Sequence, residues 1–566
     1  MKKRLTALSL IYVVSILFIS VRLFFWQIVK GSSLSQIATS QYQSQSQTKA
    51  FRGAILDSGG SYLVASVTSW RLFANPPKIK DNKKVIANTL APLLVEDPKD
   101  IKDEVSLIEN DLNSNSPYIP IKEKISDDVK KKIENLSFTG LGFESIEDRL
   151  YPEGSSSAQL LGFVGKDKEG GDVGYFGLEG YYDLPLKAKT GFTIRDTDPF
   201  GHPILSGDLS SVPELGGVDL VTSINKGIQL LVEQKLSKAM ETYEAKLGNV
   251  IIMDPKDGKI LAMASYPSFD PRKYYDYSNE LFKNPNISDS FEPGSIFKPL
   301  VMAAGFDSKV INKNTFCDIC DKPYKVDKYQ IETWNQQYFP NSSMTDIIVH
   351  SDNVGMTFVG LKLGGKRLID YIDKFGIGHL TGIDLQGEDT PPSRKKDEWN
   401  IVDEVTATFG QGVAVTPIQM IRSLSTIANG GFLVRPHVVQ SIKKDDFTKN
   451  VELDAPTRVI TKDAANTVKD MMIKAVKDGE AKWAMPKGFL IAGKTGTAQI
   501  PVAGHYDSKK TIASFVGFAP ANDPKFIMLV SLTEPQSSQW GAETAAPLWA
   551  DIARDLFPML GIHPEN

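Results

Sequence analysis

The larger part of this chain is predicted to be an α+β fold, one antiparallel sheet with helices packed against it. Three observations predict it. The apolar runs Val250–Met253 and Ile260–Ala264 flank the turn Asp254-Pro-Lys-Asp-Gly258 and read as two paired strands. Three further strand-like runs, Phe489–Ala498, Thr511–Phe518 and Phe526–Leu532, come late in the sequence, the last two joined by Pro520-Ala-Asn-Asp-Pro524. Between the two groups, 295–480 is mainly helical in pattern, and a helix over about 545–560 closes the chain.

Ahead of the first strand, Lys226–Leu247 places Ile228, Leu231, Val232, Leu236, Ala239, Met240, Tyr243 and Leu247 on one helical stripe. Gly248 is positioned as its C-terminal stop.

With 566 residues the chain exceeds one compact core. A net charge of -4 gives no basic face for nucleic acid, so no nucleic-acid partner is expected. The only cysteines, Cys317 and Cys320, form a Cys-x-x-Cys pair with no Cys/His cluster to complete a metal site. One small disulfide or two free thiols in a loop are the readings left open.

The N-terminus reads as an uncleaved membrane anchor. Lys2, Lys3 and Arg4 precede an uncharged run from Leu5 to Val21, and apolar residues resume after Arg22 through Val29. That length crosses a hydrocarbon core of roughly 30 Å as a helix. Arg22 can snorkel and Trp26 suits the interface. The basic cluster predicts a cytoplasmic N-terminus, with everything after about residue 30 outside. Residues 31–49 are Ser- and Gln-rich and read as a polar stalk. From Arg52 to about Pro213 a Gly-punctuated α+β region follows, with charged helical patterning from Lys78 to Lys132 and no nucleophile in a plausible setting.

The chemistry lies further on. A serine nucleophile needs a base, and residues three apart share a helix face. Ser-x-x-Lys occurs five times, at Ser46, Ser223, Ser295, Ser393 and Ser441, so the bare motif says nothing. Context selects Ser295. It follows the turn Phe291-Glu-Pro-Gly294, and Pro299 suits the first turn of a helix that continues through the apolar run Leu300–Ala304. A helix N-terminus favours an attacking alkoxide. Lys298 lies one turn on.

The second element is Ser351-Asp352-Asn353 before the segment Val354–Leu363, although Ser223-Ile-Asn225 has the same form. The bland reading is a helix cap. The third is Lys494-Thr495-Gly496-Thr497 within the predicted strand Phe489–Ala498. Gly493 and Gly496 would let a substrate backbone approach a strand edge, and Lys494 with the threonine hydroxyls could hold a carboxylate. Its bland reading is an edge strand guarded by lysine. Another Lys-Thr-Gly, at Lys189, precedes every credible nucleophile. His505 reads as a surface-loop histidine near this strand.

Each motif alone is modest, but the ordered set occurs together in class A β-lactamases and penicillin-binding proteins. The sequence resembles the class B penicillin-binding proteins, the monofunctional peptidoglycan D,D-transpeptidases. Arg52-Gly-Ala-Ile-Leu-Asp57, Arg149-Leu-Tyr-Pro-Glu-Gly154 and Gly174-Tyr-Phe-Gly-Leu-Glu179 look like that family's three pedestal motifs, with Ser58 where a basic residue is common. Gly248–Pro271 and Phe409-Gly-Gln-Gly412 also resemble family segments.

The resemblance implies a cytoplasmic tail (1–4), a transmembrane anchor (5–29), the stalk (30–50), a pedestal domain (51–213) and a transpeptidase domain (214–566). The last would be the penicillin-recognising fold, a five-stranded antiparallel sheet with helices on both faces. By the same resemblance, Ser295 attacks the D-Ala–D-Ala bond and Lys298 is its base. Ser351 passes a proton to the leaving D-alanine, and Asn353 orients the donor peptide. Lys494, Thr495, Gly496 and Thr497 form the strand that binds the donor's terminal carboxylate or a β-lactam's. The backbone N–H groups of Ser295 and Thr497 form the oxyanion hole. No cofactor or metal is implied. The implied partners are peptidoglycan stem peptides, β-lactams and a membrane glycan polymerase of the shape, elongation, division and sporulation class. Phe291–Gly294 and Tyr506–Phe518 lean towards the division type. Two alternatives stand beside this reading: the same acyl-enzyme with water as acceptor, and a catalytically idle scaffold.

Overall fold

The computed structural model describes residues 2–48, 50–95, 97–196, 204, 209–392, 395–502 and 505–565. The chain divides into two compact units. One comprises residues 1–52 and 187–217. Its helix Lys2–Phe24 continues as a π-helical turn to Val29, long and apolar enough to cross a membrane and with no side chain buried in protein. The Ser/Gln-rich segment read as a stalk carries a helix, Gly31–Tyr42, and a strand, Gln43–Thr48. That strand pairs antiparallel with Gly191–Asp196, which pairs in turn with Leu209–Val212. Patterning gave no hint of this, because a polar strand lacks the apolar alternation that betrays a buried one.

The second unit holds the pedestal region and the larger α+β region. In the pedestal, the long strand Tyr62–Ala74 pairs with Ile55–Leu56, Ile119–Ile125 and Leu141–Leu150. The charged stretch Lys78–Lys132 supplies helices Lys83–Leu94, Ile101–Leu112 and Asp127–Glu134. Their buried Ile86, Leu90, Ile108 and Ile133 close a separate small core over Leu72. Two strands from far along the chain, Val439–Lys444 and Phe447–Asn450, extend the pedestal sheet through Asp219–Thr222. A division drawn at residue 213 in sequence is therefore bridged in space.

The three pedestal motifs have physical roles. A Cβ on Gly53 would lie 1.9 Å from Val218 O, so only glycine fits there. The Asp57 carboxylate accepts from Gly59 N at 2.9 Å and Ser61 N at 2.7 Å, fixing the turn between two strands. Arg149 of the second motif donates through Nε to Glu179 of the third at 2.7 Å, and both side chains are buried.

The larger region is a five-stranded antiparallel sheet. Its strands are β1 Leu247–Met253, β2 Ile260–Tyr266, β3 Ala492–Val502, β4 His505–Ala519 and β5 Phe526–Thr533, in the order β2-β1-β5-β4-β3. The helices that concern the site are α1 Lys226–Tyr243, α2 Lys298–Asp307, α3 Met344–Val349, α4 Asn353–Leu363, α5 Pro417–Ala428, α6 Lys462–Asp478 and α7 Ala545–Met559. Side chains alternate across each strand. On β1, Val250 and Ile252 join a core with α1 and α7, while Ile251 and Met253 join the core with α2, α5 and α6. Both faces are buried, which is why these strands read as unbroken apolar runs.

Two local expectations change. Helix α1 ends at Tyr243, where Glu244 caps it with φ 49°. Gly248 is not its stop but lies inside β1, where a Cβ would meet Met240 Sδ at 2.6 Å and Leu236 Cδ1 at 2.8 Å. Glycine is needed there because the helix lies so close to the strand. His505 opens strand β4 rather than sitting in a loop. The two cysteines form a disulfide, Cα–Cα 5.6 Å, with both residues buried.

Candidate active site

The turn before Ser295 is held by close backbone packing. Gly294 has φ 55°, and its N–H donates to Gly410 O at 3.1 Å. Gly410, φ 79°, approaches so tightly that a Cβ would lie 2.2 Å from Gly294 O. The Phe409–Gly412 segment thus backs the turn that carries Ser295. Gly294–Phe297 forms a single 3-10 turn, and α2 follows with Pro299 in its first turn. Ser295 therefore sits one turn ahead of an α-helix and Lys298 at its first residue.

Lys298 is fully buried. Its Nζ donates to Ser351 O at 2.5 Å, to Asn353 Oδ1 at 2.8 Å and to Ser351 Oγ at 3.3 Å. Ser351 adopts φ 55°, an uncommon conformation for a residue bearing a Cβ, between the end of α3 and the start of α4. Asp352 caps α4 by accepting from Gly355 N at 3.0 Å; its Oδ2 is buried without a hydrogen bond, and burial raises its pKa. The cap reading of this motif is true of Asp352, while Ser351 and Asn353 are turned to Lys298. The Asn353 amide is oriented by both its ends, since Nδ2 donates to Glu332 O at 2.9 Å.

Lys494 lies on β3, an outer strand of the sheet. It is not a guard facing solvent, being 3 % exposed, with Nζ donating to Thr495 O and Oγ1 at 3.1 Å each. The flanking glycines are needed for the protein's own packing. A Cβ on Gly496 would meet Ser514 Oγ at 2.4 Å and Ile296 Cγ2 at 2.9 Å, and one on Gly493 the Phe515 ring at 2.6 Å. Thr497 Oγ1 accepts from Gly541 N at 3.0 Å, which ties β3 to the segment before α7.

A single cleft brings these groups together. Ser295, Ser351, Asn353, Thr495, Gly496 and Thr497 line it, with Lys298 and Lys494 buried next to it. Burial, then the neighbouring Lys494 charge, pushes the Lys298 pKa well down, opposed by Asp352 and Glu480. Burial pushes Lys494 down to about 8, opposed by Glu480. Sequence reasoning missed Glu480, Trp334 and Trp540, which also line the cleft; it noted Phe409 and Gln411 only as a motif. Glu480 lies in the charged run Lys477-Asp-Gly-Glu480, which looks like ordinary solvated surface.

The other motif copies do structural work or lie elsewhere. The buried Ser223 Oγ donates to Ile260 O at 2.6 Å, and Asn225 caps α1. Ser441 lies in the strand paired with Asp219–Thr222, and Ser46 in the strand Gln43–Thr48. Ser393 is outside the described residues. The backbone of Lys189 exchanges hydrogen bonds with Leu215.

Comparison with known proteins places this arrangement. Residues 248–554 match the penicillin binding protein transpeptidase domain and residues 47–222 the penicillin-binding protein dimerisation domain. Stage V sporulation protein D of Bacillus subtilis (strain 168) is 31% identical, over 100% of this chain and 87% of its own length. The peptidoglycan D,D-transpeptidase FtsI of Escherichia coli (strain K12) is 30% identical, over 92% and 85%. Among solved structures, penicillin binding protein 2X of Streptococcus thermophilus has a TM-score of 0.72 at 22% identity, covering 92% of this chain and 81% of that one, which shows the shared fold. The family matches extend over both regions of the second unit, and the serine, lysine and asparagine motifs converge in one cleft: the chain belongs to the class B penicillin-binding proteins, the monofunctional peptidoglycan D,D-transpeptidase family.

Proposed function

We propose that the cleft cross-links peptidoglycan stem peptides through an acyl-enzyme on Ser295. The observation that carries the roles is the buried Lys298 amine held by Ser351 and Asn353. A charged Lys298 spends all three N–H donors on Ser351 O, Asn353 Oδ1 and Ser351 Oγ. A neutral amine keeps the first two bonds and frees its lone pair for a hydroxyl proton. Burial favours that neutral form, so Lys298 is the base that takes the Ser295 proton as Oγ bonds to the donor carbonyl carbon.

Ser351 Oγ, beside Lys298 Nζ, returns the proton to the departing D-alanine nitrogen as the C–N bond breaks. Asn353 has one amide N–H beyond its bond to Glu332 O, directed to the donor peptide. Lys494, charged below about pH 8, and the hydroxyls of Thr495 and Thr497 bind the donor carboxylate or that of a β-lactam. The Ser295 and Thr497 N–H groups receive the oxyanion. An amine of a second stem peptide then takes the acyl group.

In this reading the N-terminal helix is a single-pass anchor with its N-terminus cytoplasmic and the catalytic domain outside; the basic cluster Lys2, Lys3 and Arg4 supports that topology. Anchor and pedestal are the surfaces for a membrane glycan polymerase of the shape, elongation, division and sporulation class, on the strength of the family resemblance.

Labelling with a fluorescent penicillin tests the assignment. The full chain should label covalently, and Ser295→Ala should not. Equal labelling of both would remove Ser295 from its role. Incubation with a pentapeptide donor and an amine acceptor should give cross-linked product; hydrolysed peptide alone would assign water as the acceptor.

A further inference from the structure

The cleft contains one charged group that the donor half of the reaction does not use. Glu480 lines it together with Ser295 and Asn353. Its backbone is fixed on both sides. Gly479 before it donates to Ala475 O at 3.1 Å and is wedged so that a Cβ would lie 2.3 Å from Ala475 O and 3.2 Å from Val349 O. Val349 ends α3, two residues before Ser351, so the turn bearing Glu480 is pinned to the segment that carries the Ser351 motif. Ala481 after it is buried in the core shared with α7. Glu480 is therefore a positioned side chain, not the tip of a loose loop.

Its carboxylate has no hydrogen bond or ion pair among the described residues, and neither buried lysine reaches it, although it acts on both through space. A half-buried, unpaired carboxylate in a cleft attracts a cation. The reacting D-Ala–D-Ala end of the donor brings no cation: it offers a carboxylate, which Lys494 neutralises. The acceptor does, because the amine that must enter is an ammonium near neutral pH. Trp334 and Trp540, in edge contact at 5.2 Å, also line the cleft, and aromatic faces favour ammonium groups.

We propose that Glu480 is the docking group for the cationic side-chain amine of the acceptor stem peptide, and thus a specificity residue for the second half-reaction. This rests on the acyl-enzyme reading above. The docked ammonium releases one proton to solvent. The neutral amine attacks the Ser295 ester carbonyl, the C–N bond forms, the C–Oγ bond breaks and the surplus amine proton passes to Oγ. Glu480 holds the nucleophile near that ester and takes no part in bond exchange.

The test compares two nucleophiles on the same acyl-enzyme. The full chain in detergent micelles is acylated with a D-alanyl thioester donor. It is then offered either a stem peptide with a free side-chain amine or hydroxylamine, which is neutral at pH 7. In Glu480→Gln, aminolysis by the stem peptide should fall about tenfold or more relative to hydrolysis, seen as a raised acceptor KM. Aminolysis by hydroxylamine should be unchanged, and Glu480→Asp should recover part of the stem-peptide rate. Equal losses with both nucleophiles would show that Glu480 acts only through the lysines, and no loss with either would show that it does not bind the acceptor; each overturns the proposal. Penicillin labelling of each variant reports an intact donor site. Absence of that label in the wild type would instead count against the acyl-enzyme reading.

Discussion

Lys298 Nζ donates to Asn353 Oδ1 at 2.8 Å, joining two residues that lie 55 apart in sequence, at the start of one helix and the first position of another. Together with the bond to Ser351 O at 2.5 Å it ties Lys298 to the second motif. Preorganisation of this kind lowers the entropic cost of the proposed proton transfer from Ser295.

The pH profile of acylation should follow from the two buried lysines. In the proposed role as base Lys298 has to be neutral; its depressed pKa keeps it neutral to lower pH, and acylation should fall on the acid side, where it recharges. Lys494 has to be charged to bind a carboxylate; with a pKa of about 8 it loses that charge as pH rises past about 8, which sets the alkaline limb. The second-order rate constant for penicillin acylation, measured against pH, should be bell-shaped. Lys494→Arg keeps its charge throughout and should move the alkaline limb upward. A limb that stays in place would assign it to another group.

Gly410→Ala should disable the nucleophile without unfolding the domain. Alanine there is strained at φ 79° and would drive its Cβ to 2.2 Å from Gly294 O. The turn carrying Ser295 has to shift, and a displacement of about 1 Å can cost about 100-fold in rate. The expectation is a cooperative melting curve with penicillin acylation reduced at least about tenfold. Unchanged acylation would mean that the turn is positioned by other contacts.

Breaking the Arg149–Glu179 pair should cost the pedestal dearly. Both side chains are buried, and removing one partner strands the other's charge. Arg149→Ala or Glu179→Ala should each lose about 3–5 kcal/mol in chemical denaturation. The double variant Arg149→Met with Glu179→Leu should be milder than either single, because no charge is left alone. Penicillin acylation at low temperature should stay within about twofold of wild type in every case.

The Cys317–Cys320 disulfide encloses a very short loop, so its contribution should be small. Chain-entropy reasoning gives about 2 kcal/mol for so few residues. Cys317→Ala with Cys320→Ala should lower stability by about that amount in urea denaturation and leave penicillin labelling intact. A loss of labelling would tie the bridge to the cleft.

The parts of the fold legible beforehand were those whose periodicity survives burial. Val250–Met253 and Phe526–Leu532 announce strands because both their faces are covered. The parts that were not legible depend on distant partners. Val439–Lys444 joins the pedestal sheet, and Gly248 yields to the side chains of α1 rather than ending it. Gly493 and Gly496 read as room for a substrate; the need of Phe515, Ser514 and Ile296 for that same room was not legible.

The sequence by itself determined the order of the motifs, the apolar anchor-length segment and the local setting of Ser295, because turns, caps and helix starts are short-range physics. It also supplied five serine–lysine pairs with no local means of telling a base from a solvated lysine. Tertiary structure decided that. Folding buried Lys298 and Lys494 together, bound the first to Ser351 and Asn353, and set Glu480, unpaired among the described residues, over the same cleft. A lysine becomes a base only when it is desolvated, and desolvation belongs to the whole packed molecule rather than to any stretch of its chain.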